Sequence, residues 1–455
     1  MFDLADAGRH FMRGLIASLP GLSALSTRAD VPEDIDLVTT ISRHESDPVA
    51  VGADPDGIAR VWKAVRRLYR SGIQPAIQLN VRCQGEVILD RAIGYARGCG
   101  PGEPPGAERV KLTPATPFNI FSAAKAVTAM MVHLLDQRHL IHLDDPVCEY
   151  IPEFGIHGKQ WITIRHVLAH RAGIPNVPPE CMDLDLLDDH EAVTDILCEA
   201  KLAWRPGRRI GYHAISGGFI LGEIVRRVTG EDLRAMLERE IRVPLGLRWF
   251  RYGAEQQDVG RVARNYFTGP PVLPPVSGIL RRALGVGFHD AIQLTNDERY
   301  LKALVPSGNL IATASEMSRF YELLLCDGTL GGVEVFDPRT VRRATAEQSY
   351  LEFDLTLGLP IRYGMGFMLG GQWFSLYGPD TVHAFGHLGF TNIICWADPE
   401  RQIAAALMTS GKPVLYPEIY HLYDVLRQLA LACPKVRRVV WPRAVGEARR
   451  GVEAG

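Results

Sequence analysis

The chain has 455 residues, 47% of them hydrophobic, which is enough apolar material for a large core and for two or three domain-sized units. Lys and Arg number 50 against 52 Asp and Glu, so total charge points to neither nucleic acid nor a strongly charged partner. No run of about 18 apolar residues occurs, so no transmembrane helix is expected.

In chain order, Arg9 and Arg13 precede a short apolar stretch, Gly14 to Leu19, that Pro20 interrupts; Asp3 and Asp6 come before it. This reads as a short amphipathic helix rather than a signal peptide, and a cytoplasmic location is the expectation. Residues 1–55 show little periodicity and read as an N-terminal extension. Residues 58–70 have an apolar stripe of Ile58, Val61, Trp62, Val65, Leu68 and Tyr69, opposite Arg60, Lys63, Arg66, Arg67 and Arg70. That is an amphipathic helix with a solvated basic face. Two strand-like runs follow, Ala76–Arg82 and Glu86–Ala96, joined by Gln84-Gly85. Gly98 to Gly106 is a Gly/Pro-rich loop.

An apolar helix led by Ser122 is expected to end near Leu140. Asp145 and Pro146 offer an N-cap and first helical residue. Thr163 starts another helix, with Gly173 as its stop. Ser216 to Thr229, closed by Gly230, and residues 231–242 continue the helical pattern. Gly269 to Gly287, with four prolines, reads as a loop, equally well a plain surface connection or a roof over a pocket with Phe288 and Leu284 as its wall. Thr313 and Glu316 form a capping box before Met317–Leu325. Asn392–Ala397 and Gln402–Thr409 flank turn residues 398–401, and a helix spans Pro417–Leu431. The basic stretch 435–455 closes the chain as a tail. The result is an α/β (α+β) domain built from 56–140 and 300–434, with a mostly helical domain, 141–299, inserted between.

Three segments carry chemistry. Ser122 and Lys125 lie one turn apart on one helix face, the minimum needed to activate serine without histidine. At a helix start the free N–H groups favour developing negative charge, and burial would lower the lysine pKa so that a neutral amine accepts the serine proton. Alone, the pair is better explained by a helix-start serine with a solvated lysine. Tyr212, in a loop before an apolar helix, could relay a proton to a leaving group, or be an ordinary half-buried tyrosine. Phe385-Gly386-His387-Leu388-Gly389-Phe390 begins a hairpin whose glycines permit close approach of a substrate, with the Phe390 and Ser122 N–H groups as an oxyanion hole. The bland alternative is a glycine bulge at a sheet edge.

In this order the three segments resemble the serine β-lactamase and penicillin-binding-protein superfamily, and within it the class C β-lactamase-like esterases, the family VIII carboxylesterases. The stretch 162–175, Leu143–Val147, Pro306–Leu310 and Asp398–Arg401 resemble framework segments of the same family, and the likeness covers roughly residues 60–430. The resemblance implies a β-lactamase-like fold, an antiparallel sheet flanked by helices. It implies Ser122 as the acylated nucleophile, Lys125 as its base and Tyr212 as the proton shuttle. It also places His387 and Gly389 against the substrate. Two departures stand out. The asparagine of Tyr-x-Asn is Ala214, and the lysine of Lys-Thr-Gly is His387, which carries little charge at neutral pH. Both changes remove groups that would hold a β-lactam.

The expected function is therefore hydrolysis of small-molecule carboxylic esters through an acyl-enzyme, with weak or no β-lactamase action. Acyl transfer, or D-amino acid amide or peptide hydrolysis, are alternatives within the superfamily. A scaffold or filament protein with a vestigial site is the alternative from another class, and homo-oligomers are left open. No cofactor is expected: there is no P-loop, dinucleotide fingerprint or Gly-x-Ser-x-Gly. No metal is expected either, although His166 and His170 have helical ligand spacing, because no acidic residue completes the set. The eight cysteines are scattered and read as buried free thiols in a reducing compartment, Cys326 among them.

Overall fold

The computed structural model describes residues 25–436 except 177, 179–182, 188, 350–351 and 373–374. The N-terminal amphipathic helix, Cys181 and the tail beyond 436 lie outside the described residues. The largest element is an antiparallel sheet. Its strands, in chain order, are β1 (Thr39–Ile41), β2 (Ala76–Cys83), β3 (Glu86–Arg97), β4 (Met368–Leu369), β5 (Phe385–Gly389), β6 (Ile393–Asp398) and β7 (Ile403–Thr409). They lie side by side in the order β1-β3-β2-β7-β6-β5-β4, with Val110–Lys111 pairing to β3 off this path. The two ends of the chain thus meet at the β2–β7 pair, where Ala404 opposes Arg82 and Leu407 opposes Leu79.

Alternation along the strands divides the core in two. On β7, Ile403, Ala405 and Leu407 join one apolar cluster and Ala404, Ala406 and Met408 the other, as side chains on a strand alternate faces. Helix α1 (Pro55–Arg70) covers the first face together with the last helix, Ile419–Ala432. Asp54 caps α1 and Pro55 takes its first position. On the second face lies the helix Ala314–Leu325, which opens with the expected capping box of Thr313 and Glu316. There Gln78 Oε1 accepts from Ala314 N (3.1 Å), and Asn80 Oδ1 accepts from Ser318 Oγ (2.6 Å), so the side-chain oxygens that β2 buries on this face are paired.

Several expectations shift. Residues 25–55 contribute β1 to the sheet edge, and Ile35, Val38, Val51 and Ala53 are buried in the apolar cluster that α1 also fills. Pro146 leads only a short 3₁₀ turn, Val147–Glu149, in place of a helix. The helix capped by Thr163 stops at Leu168 rather than Gly173, since His170 turns into the left-handed region. That takes His166 and His170 off one helix face and removes the geometry of a ligand pair. Val276–Leu284 is a helix inside the expected Pro-rich loop; Ile279 and Leu280 precede the paired Arg281 and Arg282. Cys326 is exposed at a helix end, whereas Cys83, Cys99, Cys198, Cys395 and Cys433 are buried and free. Among the described residues, no helix is long and apolar enough to cross a membrane.

Candidate active site

The nucleophile turn begins where Phe118–Asn119 pairs with Leu310–Ala312 and Ile120 N donates to Leu310 O at 3.0 Å. Asn119 Oδ1 accepts from Phe121 N (3.1 Å), and Phe121 adopts φ +52°, a left-handed value that is strained for a bulky residue. A 3₁₀ turn over Phe121–Ala123 then passes into helix α2 (Ala124–Gln137). Ser122 is thereby set on a sharp bend at the start of a buried helix rather than within its body.

Lys125 follows one turn later. Its Nζ lies 3.0 Å from Ser122 Oγ, 2.7 Å from Ala214 O and 3.0 Å from Ser307 O. Burial holds its pKa well below the usual lysine value. Among the described residues no carboxylate pairs with it; both other partners are carbonyls. Each carbonyl comes from a tightly packed segment. Helix α3 (Ser216–Thr229) begins with Gly217-Gly218, and a Cβ on Gly218 would stand 2.6 Å from Ser307 Cβ. Asn309 fixes the other side, with its Nδ2 donating to Tyr300 O (2.8 Å) and Ala303 O (2.6 Å).

Tyr212 is buried beside this pair, with Lys125 Nζ 5.0 Å from its ring centroid. Burial raises the phenol pKa far above normal; a hydrogen bond with Ser122 acts in the other direction and is the smaller effect. The ring packs at 4.7 Å from His170 and 6.0 Å from His387. Burial, and secondarily the neighbouring Lys125, pushes the His387 pKa down to about 3, so this imidazole is neutral at physiological pH. Its Nδ1 lies 2.7 Å from Leu388 O.

Strand β5 forms the opposite wall. A Cβ on Gly389 would lie 2.3 Å from Ile120 O, so glycine is required for the strand to reach the nucleophile turn. The Phe390 ring stacks 5.2 Å from Phe121 and 5.0 Å from Phe288. Phe288 therefore does stand over this wall, beyond the helix that replaces the expected loop.

Ser122, Lys125, Tyr212, His387, Gly389 and Phe390 thus converge from three distant parts of the chain. Other groups were not evident from sequence. The Ala214 and Ser307 carbonyls leave no trace there, because every residue has one. His170 and His213 line the Tyr212 side, and burial drives the His213 pKa to about 3. Lys412 is buried behind Phe121, with its Nζ 4.8 Å from that ring and donating to Thr409 O (2.7 Å); burial lowers its pKa to about 7. A lone lysine at the end of the apolar strand β7 was the only signal for it.

Residues 64–427 match the model of the family described as Beta-lactamase. The chain is 30% identical over 335 residues to the esterase/β-lactamase LipL of Mycobacterium tuberculosis, covering 70% of this chain and 75% of that one. Among solved structures it is similar to a penicillin-binding-protein homologue from Caulobacter crescentus, with a TM-score of 0.71 and 27% identity over 84% of this chain and 99% of that one. It is also similar to a family VIII carboxylesterase, with a TM-score of 0.69 and 25% identity over 82% of this chain and 98% of that one.

Proposed function

The chain belongs to the Beta-lactamase family, within a serine hydrolase superfamily of esterases, β-lactamases and penicillin-binding-protein homologues, and on that premise we propose that it cleaves carboxylic esters through an acyl-enzyme on Ser122. The observation that carries this reading is the set of partners around Lys125 Nζ. A neutral amine has two N–H donors and one lone pair. The two donors go to Ala214 O and Ser307 O, and the lone pair is left for the Ser122 hydroxyl at 3.0 Å. The amine is thus oriented as an acceptor without any histidine or carboxylate.

The steps follow from that orientation. Lys125 takes the hydroxyl proton as Ser122 Oγ attacks the ester carbonyl carbon. The N–H groups of Ser122 and Phe390 hold the oxyanion. Tyr212, kept protonated by burial, gives its proton to the departing alkoxide and recovers one from Lys125 as the C–O bond breaks. Water then repeats the sequence on the acyl-serine and releases the acid. His387 and Gly389 face the substrate from β5.

Preference for esters over β-lactams is supported by the same neighbourhood. Ala214 offers a carbonyl to Lys125 but no side-chain amide, and His387 is held neutral, so neither position supplies a group to hold the amide or carboxylate of a β-lactam. The test is a panel of p-nitrophenyl acyl esters, nitrocefin and D-amino acid amides, run beside fluorophosphonate labelling of the wild type and Ser122→Ala. Ester turnover with labelling lost in Ser122→Ala is the expected result. Nitrocefin hydrolysis far faster than that of any ester would overturn the preference; absence of labelling would overturn the mechanism.

A further inference from the structure

The hairpin Phe353–Pro360 reverses the usual pattern of a surface element. Phe353, Leu355, Leu357 and Leu359 are exposed, while Asp354 between them is fully buried. Burying a carboxylate and exposing four large apolar groups is costly on both counts, so the inward carboxylate needs a specific use. Both of its oxygens accept hydrogen bonds. Oδ1 accepts from Tyr212 N (3.2 Å), Thr356 N (2.8 Å) and Leu357 N (2.9 Å), and Oδ2 accepts from Tyr363 Oη (2.8 Å).

Two of these four donors belong to the hairpin itself and close its turn. The other two lead to the active site. One is the backbone of Tyr212. The other, Tyr363, packs edge-on against His170 at 5.0 Å, and His170 packs against the Tyr212 ring at 4.7 Å. The neighbouring backbone adds a second tether, with Leu355 N donating to Ile210 O at 3.0 Å. A Cβ on Gly211 would meet Trp204 at 2.5 Å and Thr356 Oγ1 at 3.2 Å, so the loop before Tyr212 is pressed between the hairpin and that indole.

We propose that Asp354 is the positioning residue for Tyr212, fixing its main chain and, through Tyr363 and His170, the ring plane from which the phenol serves the leaving group. This rests on the reading of Tyr212 as proton donor in ester cleavage. Asp354 touches no reacting atom. Its effect passes through Tyr212, and displacement of a proton donor by about 1 Å costs roughly 10²-fold in turnover.

The experiment measures kcat and KM for a p-nitrophenyl ester in Asp354→Ala, Asp354→Asn and Tyr363→Phe, each with Tyr212 intact and in a Tyr212→Phe background, with circular dichroism and thermal melting as checks on folding. Asp354→Ala should lower kcat by about 10–100-fold with KM little changed, and Asp354→Asn, which keeps an acceptor oxygen for the Tyr212 N–H, should recover part of the loss. In the Tyr212→Phe background the same substitutions should add less than about twofold, because the group they position is already gone. If the losses multiply in that background, or if folded Asp354→Ala turns over like the wild type, Asp354 does not act through Tyr212. Should Asp354→Ala fail to fold, Asp354→Asn and Tyr363→Phe carry the same comparison. Wild-type kcat in Tyr212→Phe alone would instead overturn the role of Tyr212, whatever Asp354 does.

Discussion

Two buried lysines stand on opposite sides of the nucleophile turn, and they differ in what surrounds the amine. Lys125 reaches Ser122 Oγ and two carbonyls, while Lys412 reaches one carbonyl and the face of Phe121. Burial lowers the pKa of both. Desolvation alone therefore does not make a catalytic base. What distinguishes Lys125 is its set of partners, two carbonyls and the Ser122 hydroxyl, and in the proposed mechanism that set leaves its lone pair toward the hydroxyl. Lys412 has an aromatic face and a single carbonyl, an arrangement that suits a structural cation at the root of the turn.

The sharpest way to break this contrast is to remove each amine. Lys125→Met should lower ester kcat by about 10²–10⁴-fold, the usual range for a general base, while Lys412→Met should change it less than about tenfold. Comparable losses in the two variants, measured on folded protein, would erase the distinction. Next comes the turn that both lysines touch. Gly389→Ala drives a methyl into Ile120 O, with its Cβ only 2.3 Å away. It should destabilise the fold by about 1–3 kcal/mol, as overpacking does, and lower kcat by more than about tenfold by shifting the Phe390 N–H from the oxyanion. Urea unfolding and steady-state kinetics on the same preparation would check both.

The effect expected to leave turnover least changed is on the pH dependence of stability. In the folded state Lys412 sheds its proton near a pKa of about 7. In the unfolded chain it keeps that proton up to about pH 10.4. Between these values the unfolded state binds more protons, so this residue makes stability rise with pH, by up to about 1.4 kcal/mol per pH unit, and the gain is lost progressively as pH falls from the unfolded value to the folded one. Lys412→Met should remove that slope and be relatively most stabilised near neutral or lower pH. Parallel urea curves for wild type and Lys412→Met from about pH 6 to pH 9.5 would contradict it.

Much of the fold was legible because local rules agreed with the tertiary result. The stripe of Ile58, Val61, Val65 and Leu68 made α1, Gln84-Gly85 made the β2–β3 turn with both residues at positive φ, and Thr313 with Glu316 capped the helix at 314. Where the reading missed, contacts from elsewhere decided. β1 forms because β3 offers an edge, and the helix after Thr163 ends early because His170 turns back to take His213 N on its Nδ1. Asp354 looked like any polar residue among apolar ones, since burial of a carboxylate cannot be read from its neighbours in sequence.

By itself the sequence determined which reactive groups exist and in what order: a hydroxyl and an amine one helical turn apart, a phenol, and a glycine-flanked strand. Helix periodicity makes the first pairing local, so it needed no fold to be seen. Only the tertiary structure decided which groups surround the amine, because the two carbonyls it reaches come from residues 214 and 307, brought to one point by the packing of α3 against the segment that ends at Leu310. Main-chain groups are the same at every residue, and position in three dimensions is what gives two of them a role.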